Sequence, residues 1–293
     1  MEISDIRRMY NSWPIAFPHD NVKIVGVINT SPDSYVPTSI ASDVDAAVAV
    51  ARTHIQQGAH YVEVGGLSGG SAARRVSEQE EMDRTLPVVE AIAGEFPQVS
   101  LTVDTFRPAI AAAALAAGAC AINDVTAMTF DEKMIGVAAE HDAQVFLMHL
   151  EGPGGHKGRK LNRPHFDDVV AEVKQFFIER IGTLTAAGID RDKIVIDVGL
   201  GAGKRPFHDY DLLARLHEFS QLGVSQMSAC SRKQFVEAVS AVPPAERLGG
   251  SIVGSLWSVL AGCEYLRVHE VRPYAQAIDV WGAIMSRYLP AAD

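Results

Sequence analysis

Cysteine, long apolar runs, basic charge and linker-like stretches are all scarce in this chain. Its three cysteines, Cys120, Cys230 and Cys263, are odd in number and lack metal-ligand spacing. They argue against a disulfide framework or a thiolate metal site, and buried thiols in a reducing cytosol are expected. The apolar run from Ala109 to Ala117 falls well short of the ~20 residues that a membrane span needs. Met1 to Asp20 carries Glu2, Asp5, Pro14 and Pro18 and builds no apolar core, so no signal or transit peptide is expected. With 26 basic against 36 acidic side chains, the formal charge is −10. That balance disfavours nucleic acid or an anionic membrane as a partner, and a cytoplasmic protein is expected. No Pro/Ser-rich segment divides the chain.

What is present is a regular alternation. Short β-branched runs occur at Val22–Ile28, His60–Val64, Ser100–Val103, Ala121–Ile122, Gln144–Met148, Lys193–Ile196, Val224–Ser228 and Glu264–Val268. Between them the apolar period changes to that of helices, at about Asp43–Gln57, Ser77–Phe96, Pro108–Ala117, Asp131–His141, Phe166–Ala187, His208–Phe219, Lys233–Ala241 with Ser251–Ala261, and Val271–Tyr288. Gly58, Gly118, Gly188, Gly223 and Gly262 stand between helix and strand, where left-handed caps belong. Eight βα units with nearly all-apolar strands predict a closed parallel (β/α)₈ TIM barrel, since such strands are buried on both faces. An open doubly wound sheet is the alternative. The 293 residues suit one such barrel of ~250 residues. Residues 1–20 then form a lead-in and 21–293 the barrel domain.

Barrel sites are built where strands end. There the sequence places Asn29, Asp104, Asn123, Asp124, His149, Asp197, Ser231, Arg232, Lys233, Arg267 and His269. Each alone could be a cap or a core residue. Together they could hold a polar heterocycle on carboxylates and amides and an anion on cations. Gly199 to Arg205 reads GLGAGKR, but Val198 and Arg205 depart from a Walker loop, so a nucleotide triphosphate site is rejected. Its glycines suit a backbone passing beneath a flat ligand, with Lys204 as a site or surface cation. The glycine-rich, basic stretch from Glu151 to His165 suits a loop over a site.

These residues, in order, resemble the dihydropteroate synthase family. The similarity runs from about Val22 to Ala283. Its pieces are VGVINTSPDSY at Val25–Tyr35, TVDTFRP at Thr102–Pro108, AIND at Ala121–Asp124, LMH at Leu147–His149, IDVGLGAGK at Ile196–Lys204, CSRK at Cys230–Lys233 and RVHEV at Arg267–Val271. The last two separate the family from pterin-dependent methyltransferases. The resemblance implies condensation of 6-hydroxymethyl-7,8-dihydropterin diphosphate with p-aminobenzoate, releasing pyrophosphate. It implies that Asp104, Asn123, Met148, Asp197 and Lys233 bind the pterin. Asn29, Arg267 and His269 would hold the diphosphate with Mg²⁺, Asn29 as metal ligand, and Ser231 and Arg232 would support the arylamine. Asp104, Lys233, Arg267 and His269 are the expected catalytic set, and a homodimer is expected.

Three departures qualify what carries over. The second loop reads GGLSGGS from Gly65, with Gly69 and Gly70 where the family has Thr and Arg; Arg74 or Arg75 is a substitute. The first loop continues Val36-Pro37-Thr38-Ser39 in place of Asp-Gly-Gly, and Val198 and Ala202 replace a Pro and a Phe. The loop changes predict weak turnover with p-aminobenzoate and poor sulfonamide inhibition. They leave open a different amine or a pterin-binding module with little catalysis.

Overall fold

Eight parallel strands hydrogen-bond in sequence order, and the last returns to the first to close a barrel. The computed structural model describes residues 21–31, 40–67, 76–150 and 166–288. The strands are β1 (Lys23–Asn29), β2 (Tyr61–Gly65), β3 (Ser100–Asp104), β4 (Ala121–Asp124), β5 (Gln144–Met148), β6 (Ile194–Asp197), β7 (Ser225–Ser228) and β8 (Tyr265–Val268). The helices are α1 (Val44–Gln56), α2 (Glu78–Glu95), α3 (Pro108–Ala116), α4 (Lys133–Glu140), α5 (Val169–Ala186), α6 (Pro206–Ala214), α7 (Gln234–Ser240), α8 (Leu248–Leu260) and α9 (Val271–Tyr288). Closure decides against the open sheet. All five glycines expected as caps have positive φ.

The starts of α1, α2 and α5 are fixed by side-chain oxygens, which satisfy amides that the first turn leaves unpaired. Asp43 accepts from Ala46 N at 2.8 Å, Ser77 from Glu80 N at 3.1 Å, and Asp168 from Val170 N at 2.9 Å. The helix expected over His208–Phe219 divides instead. α6 ends at Ala214, and residues 216–222 tighten into a 3₁₀ turn. Its three-residue period puts Leu216, Phe219 and Leu222 on one buried face, which an α-helical period would spread apart.

Strand residues alternate between two cores. Ile28, Val62, Leu101, Ile122, Val145 and Ile196 face outward into the helices. Val25, Ala121, Phe146, Val195, Met227 and Tyr265 fill the barrel's interior, with Tyr61 packed beside them. The rings of Tyr61, Phe146 and Tyr265 meet edge to face at 5.2–5.9 Å. This aromatic layer plugs the lower barrel. Cys230 and Cys263 are buried as expected, whereas Cys120 is exposed, because it lies on the turn between α3 and β4. Among the described residues no helix is long and apolar enough to cross a membrane.

Candidate active site

Two residues beyond the apolar plug, the same inward phase turns polar on β2, β4, β6 and β8. Stepping by two from Val25, Tyr61, Ala121, Phe146, Val195 and Tyr265 reaches Val27, Glu63, Asn123, Met148, Asp197 and Arg267. One further step gives Asn29, Gly65 and His269, and β3 brings Asp104 beside Gly65 and Asn123. The candidates Asn29, Asp104, Asn123, Met148, Asp197, Arg267 and His269 thus share one face. The structure extends the strands through Asp104, Asn123, Asp124 and Asp197, so these polar groups are held by the sheet.

At the centre stands a residue that the sequence reading missed. Glu63, 1% exposed, accepts from Asn123 Nδ2 at 2.8 Å and from Arg267 Nε at 2.7 Å. Arg267 Nη2 also bonds Glu63 and reaches Asp104 Oδ2 at 3.0 Å. Burial pushes the Glu63 carboxyl above its ordinary range, Arg267 opposes that shift, and Asp104 adds to it. The two acids share one guanidinium.

Asp197 is buried and accepts from Gly199 N at 2.8 Å. Its pKa is raised by burial, against the backbone hydrogen bond and the charges of Lys233, Arg267 and Lys204. Lys233 is half-buried at the N-cap of α7. His269 is kept neutral, its pKa lowered to about 3 by burial and then by Arg267, Lys233 and Arg232. Its Nδ1 lies 2.8 Å from Ser231 Oγ. If Ser231 donates there, Nε2–H is the donor that His269 can offer an anion. Arg232 adopts φ +58, bonds Glu270 through Nε and Nη2, and donates Nη1 to Pro244 O at 2.7 Å.

Lys204 is not a surface group. Its buried ammonium donates to His149 O and Gly199 O, both at 3.1 Å, tying the loop after β6 to the end of β5. The close approach of the glycine loop is also to protein: a Cβ on Gly199 would lie 2.0 Å from His149 O. His149 is buried edge-on to Phe176, its pKa lowered to about 3 by burial and Lys204. A second missed pair is Glu81 with Arg107, at 2.8 Å; Arg107 also donates to Val76 O at 2.7 Å, where the chain re-enters α2. The expectations for Pro32 to Ser39, Ser68 to Arg75 and Glu151 to His165 lie outside the described residues.

Asn29, half-buried at the end of β1, brings one neutral oxygen, and among the described residues no three His, Cys, Asp or Glu side chains converge on a metal. That donor set fits a Mg²⁺ that arrives largely coordinated by phosphate oxygens.

The pterin binding enzyme family matches residues 25–269. A dihydropteroate synthase of Escherichia coli (strain K12) is 36% identical over 275 residues, covering 94% of each chain. The Xanthomonas albilineans dihydropteroate synthase with 4-aminobenzoic acid is 35% identical, with a TM-score of 0.83 over 93% of this chain and 95% of that one. The same enzyme with 7,8-dihydropteroate gives 34% identity and a TM-score of 0.80, over 93% and 96%. With a family match across most of the chain, relatives above 30% identity at nearly full length, and the same closed barrel, this chain belongs to the pterin-binding enzymes and, among them, to the dihydropteroate synthase family.

Proposed function

We propose that this barrel condenses 6-hydroxymethyl-7,8-dihydropterin diphosphate with p-aminobenzoate, giving 7,8-dihydropteroate and pyrophosphate. The observation that carries the reading is the polar layer directly above the aromatic plug. Asp104, Asn123 and Asp197 offer acceptors there and Lys233 and Arg267 offer donors, a set that suits a flat ring rich in N–H groups with an anion attached. Asn123, Asp197 and Lys233 hold the ring beside Met148. Arg267, His269 and Asn29 hold the diphosphate; Mg²⁺ would supply further neutralisation of the charge that develops as the leaving group departs. The methylene C–O bond to the diphosphate breaks, the amine nitrogen forms the new C–N bond, and the amine loses one proton. Ser231, whose Oγ lies 2.8 Å from His269 Nδ1, and Arg232 are assigned to support the arylamine. The test is pyrophosphate release with p-aminobenzoate, run against other arylamines. Release only with another amine would favour the second reading, which rests on Gly69 and Gly70 replacing Thr and Arg.

The ring assignment has its own check. Asp197→Ala removes a buried acceptor facing ring N–H groups and is expected to weaken pterin binding by ~1–3 kcal/mol. Titration calorimetry showing unchanged pterin affinity would remove Asp197 from the site.

We also infer a cytoplasmic homodimer with residues 21–293 as its barrel domain. On α8, Ile252, Leu256 and Val259 pack toward Tyr274, Ile278 and Trp281 of α9. The adjacent side of α8 leaves Val253, Trp257 and Leu260 exposed, with Trp257 at 50%, and α9 adds Val280 and Ile284. Such a strip is larger than isolated surface apolar residues need explain. Light scattering should give twice the chain's 31.6 kDa, and Val253→Glu with Leu260→Glu should give the single mass. A monomeric wild-type chain would contradict the dimer.

A further inference from the structure

The pterin reading assigns Glu63 no role, and Glu63 is in none of the motifs that carry the family likeness. Yet it touches two groups that the reading depends on. A carboxylate oxygen can only accept while ionised, so the part of Asn123 turned toward Glu63 Oε2, 2.8 Å away, is its NH₂. The carbonyl oxygen of Asn123 is therefore turned elsewhere. It is buried and accepts no hydrogen bond from the described residues. A buried amide oxygen in that state calls for a donor. On the other side, Glu63 Oε1 accepts from Arg267 Nε at 2.7 Å, which fixes the plane of the guanidinium while Asp104 takes a second edge.

We propose that Glu63 is a specificity-determining positioning residue: by holding the Asn123 NH₂, it turns the Asn123 carbonyl toward the ring and makes the pocket require an N–H there. This rests on the pterin assignment of Asn123 above. Its consequence is polarity. If residue 63 could donate, Asn123 could turn over and present NH₂ to the ring, so that two donors would face each other. Glu63→Gln allows that reversal with almost no change in shape. It also removes a negative charge beside Arg267, which does not weaken an anion bound there.

The experiment is a double-mutant cycle in 6-hydroxymethyl-7,8-dihydropterin binding, with pyrophosphate titrated separately and melting temperatures recorded. Glu63→Gln should weaken the pterin by about tenfold to a hundredfold, the range for a buried polar mismatch. Pyrophosphate affinity should stay within about threefold, because the charge change there is not adverse. In an Asn123→Ala background, Glu63→Gln should change pterin affinity by less than about twofold, since the group through which it acts is gone. Unchanged pterin affinity in Glu63→Gln overturns the proposal. So does an equal loss in both backgrounds, or a loss for pyrophosphate as large as that for pterin; these would mark a residue that only supports the fold. Should Glu63→Gln not fold, Glu63→Asp keeps an acceptor one methylene shorter. It should retain more pterin affinity than Asn123→Ala, and a loss as large as that variant's overturns the proposal. A wild-type chain that binds no pterin would instead defeat the pterin reading.

Discussion

Arg267→Ala is expected to destabilise the chain by ~3 kcal/mol near neutral pH, because removing one partner of a buried pair strands the other charge. The stranded charge is Glu63, inaccessible to water, with the Asp104 carboxylate left close by. The sign with pH follows from the raised pKa of Glu63. A carboxyl that holds its proton more tightly folded than unfolded favours folding as pH falls toward its unfolded value, and disfavours it as pH rises. The variant loses the cation that opposed this shift, so its deficit should be largest above neutrality and shrink in mild acid. Urea denaturation at two pH values measures it, and a deficit independent of pH would contradict the assignment. Pyrophosphate affinity should fall far more than that of the pterin alone if Arg267 is, as proposed, the charged donor to the anion. Equal losses would make the residue structural.

The second large effect is expected at Gly199. Its φ is +71, and a Cβ there would sit 2.0 Å from the carbonyl oxygen of His149. That carbonyl is fixed: His149 N donates to Asp197 O at 2.9 Å, and the buried Lys204 ammonium grips His149 O and Gly199 O together. Gly199→Ala must therefore break the junction of β5 and β6 and move the amide that Asp197 accepts. Left-handed strain of ~1–2 kcal/mol adds to overpacking of ~1–3 kcal/mol. Gly201 is the internal control. Its φ is +70, but the nearest atom to an added Cβ is Lys233 Cδ at 3.6 Å. Gly201→Ala should show the strain alone, and equal melting temperatures for the two variants would show that the close approach at Gly199 is not rigid.

The barrel was legible because short, mostly apolar runs alternate with stretches of helical period, and five of the strands follow a glycine at the end of the preceding helix. The polar ends were legible because Asp104, Asn123 and Asp197 interrupt apolar runs at the end that barrels use. Glu63 was not, since Val62 and Val64 flank it and its strongest partner is 204 positions away. Only counting by two from Tyr61 puts it on the face of the site. That Lys204 is buried could not be read in the glycine-rich stretch before it, because its carbonyl partner His149 lies 55 positions back. The pair of Glu81 and Arg107 was hidden in the same way. Partners that meet only after closure leave no local period or cap to read.

The measurement that tests the central claim most directly is release of pyrophosphate from 6-hydroxymethyl-7,8-dihydropterin diphosphate in the presence of Mg²⁺ and p-aminobenzoate, with the pterin product identified. The expected result is one pyrophosphate per 7,8-dihydropteroate formed, slower than the ordinary enzyme median of ~10 s⁻¹ because Gly69 and Gly70 replace the family's Thr and Arg. No release with p-aminobenzoate or any other arylamine, from a chain that binds the pterin diphosphate, would contradict it and leave a pterin-binding protein that performs no condensation.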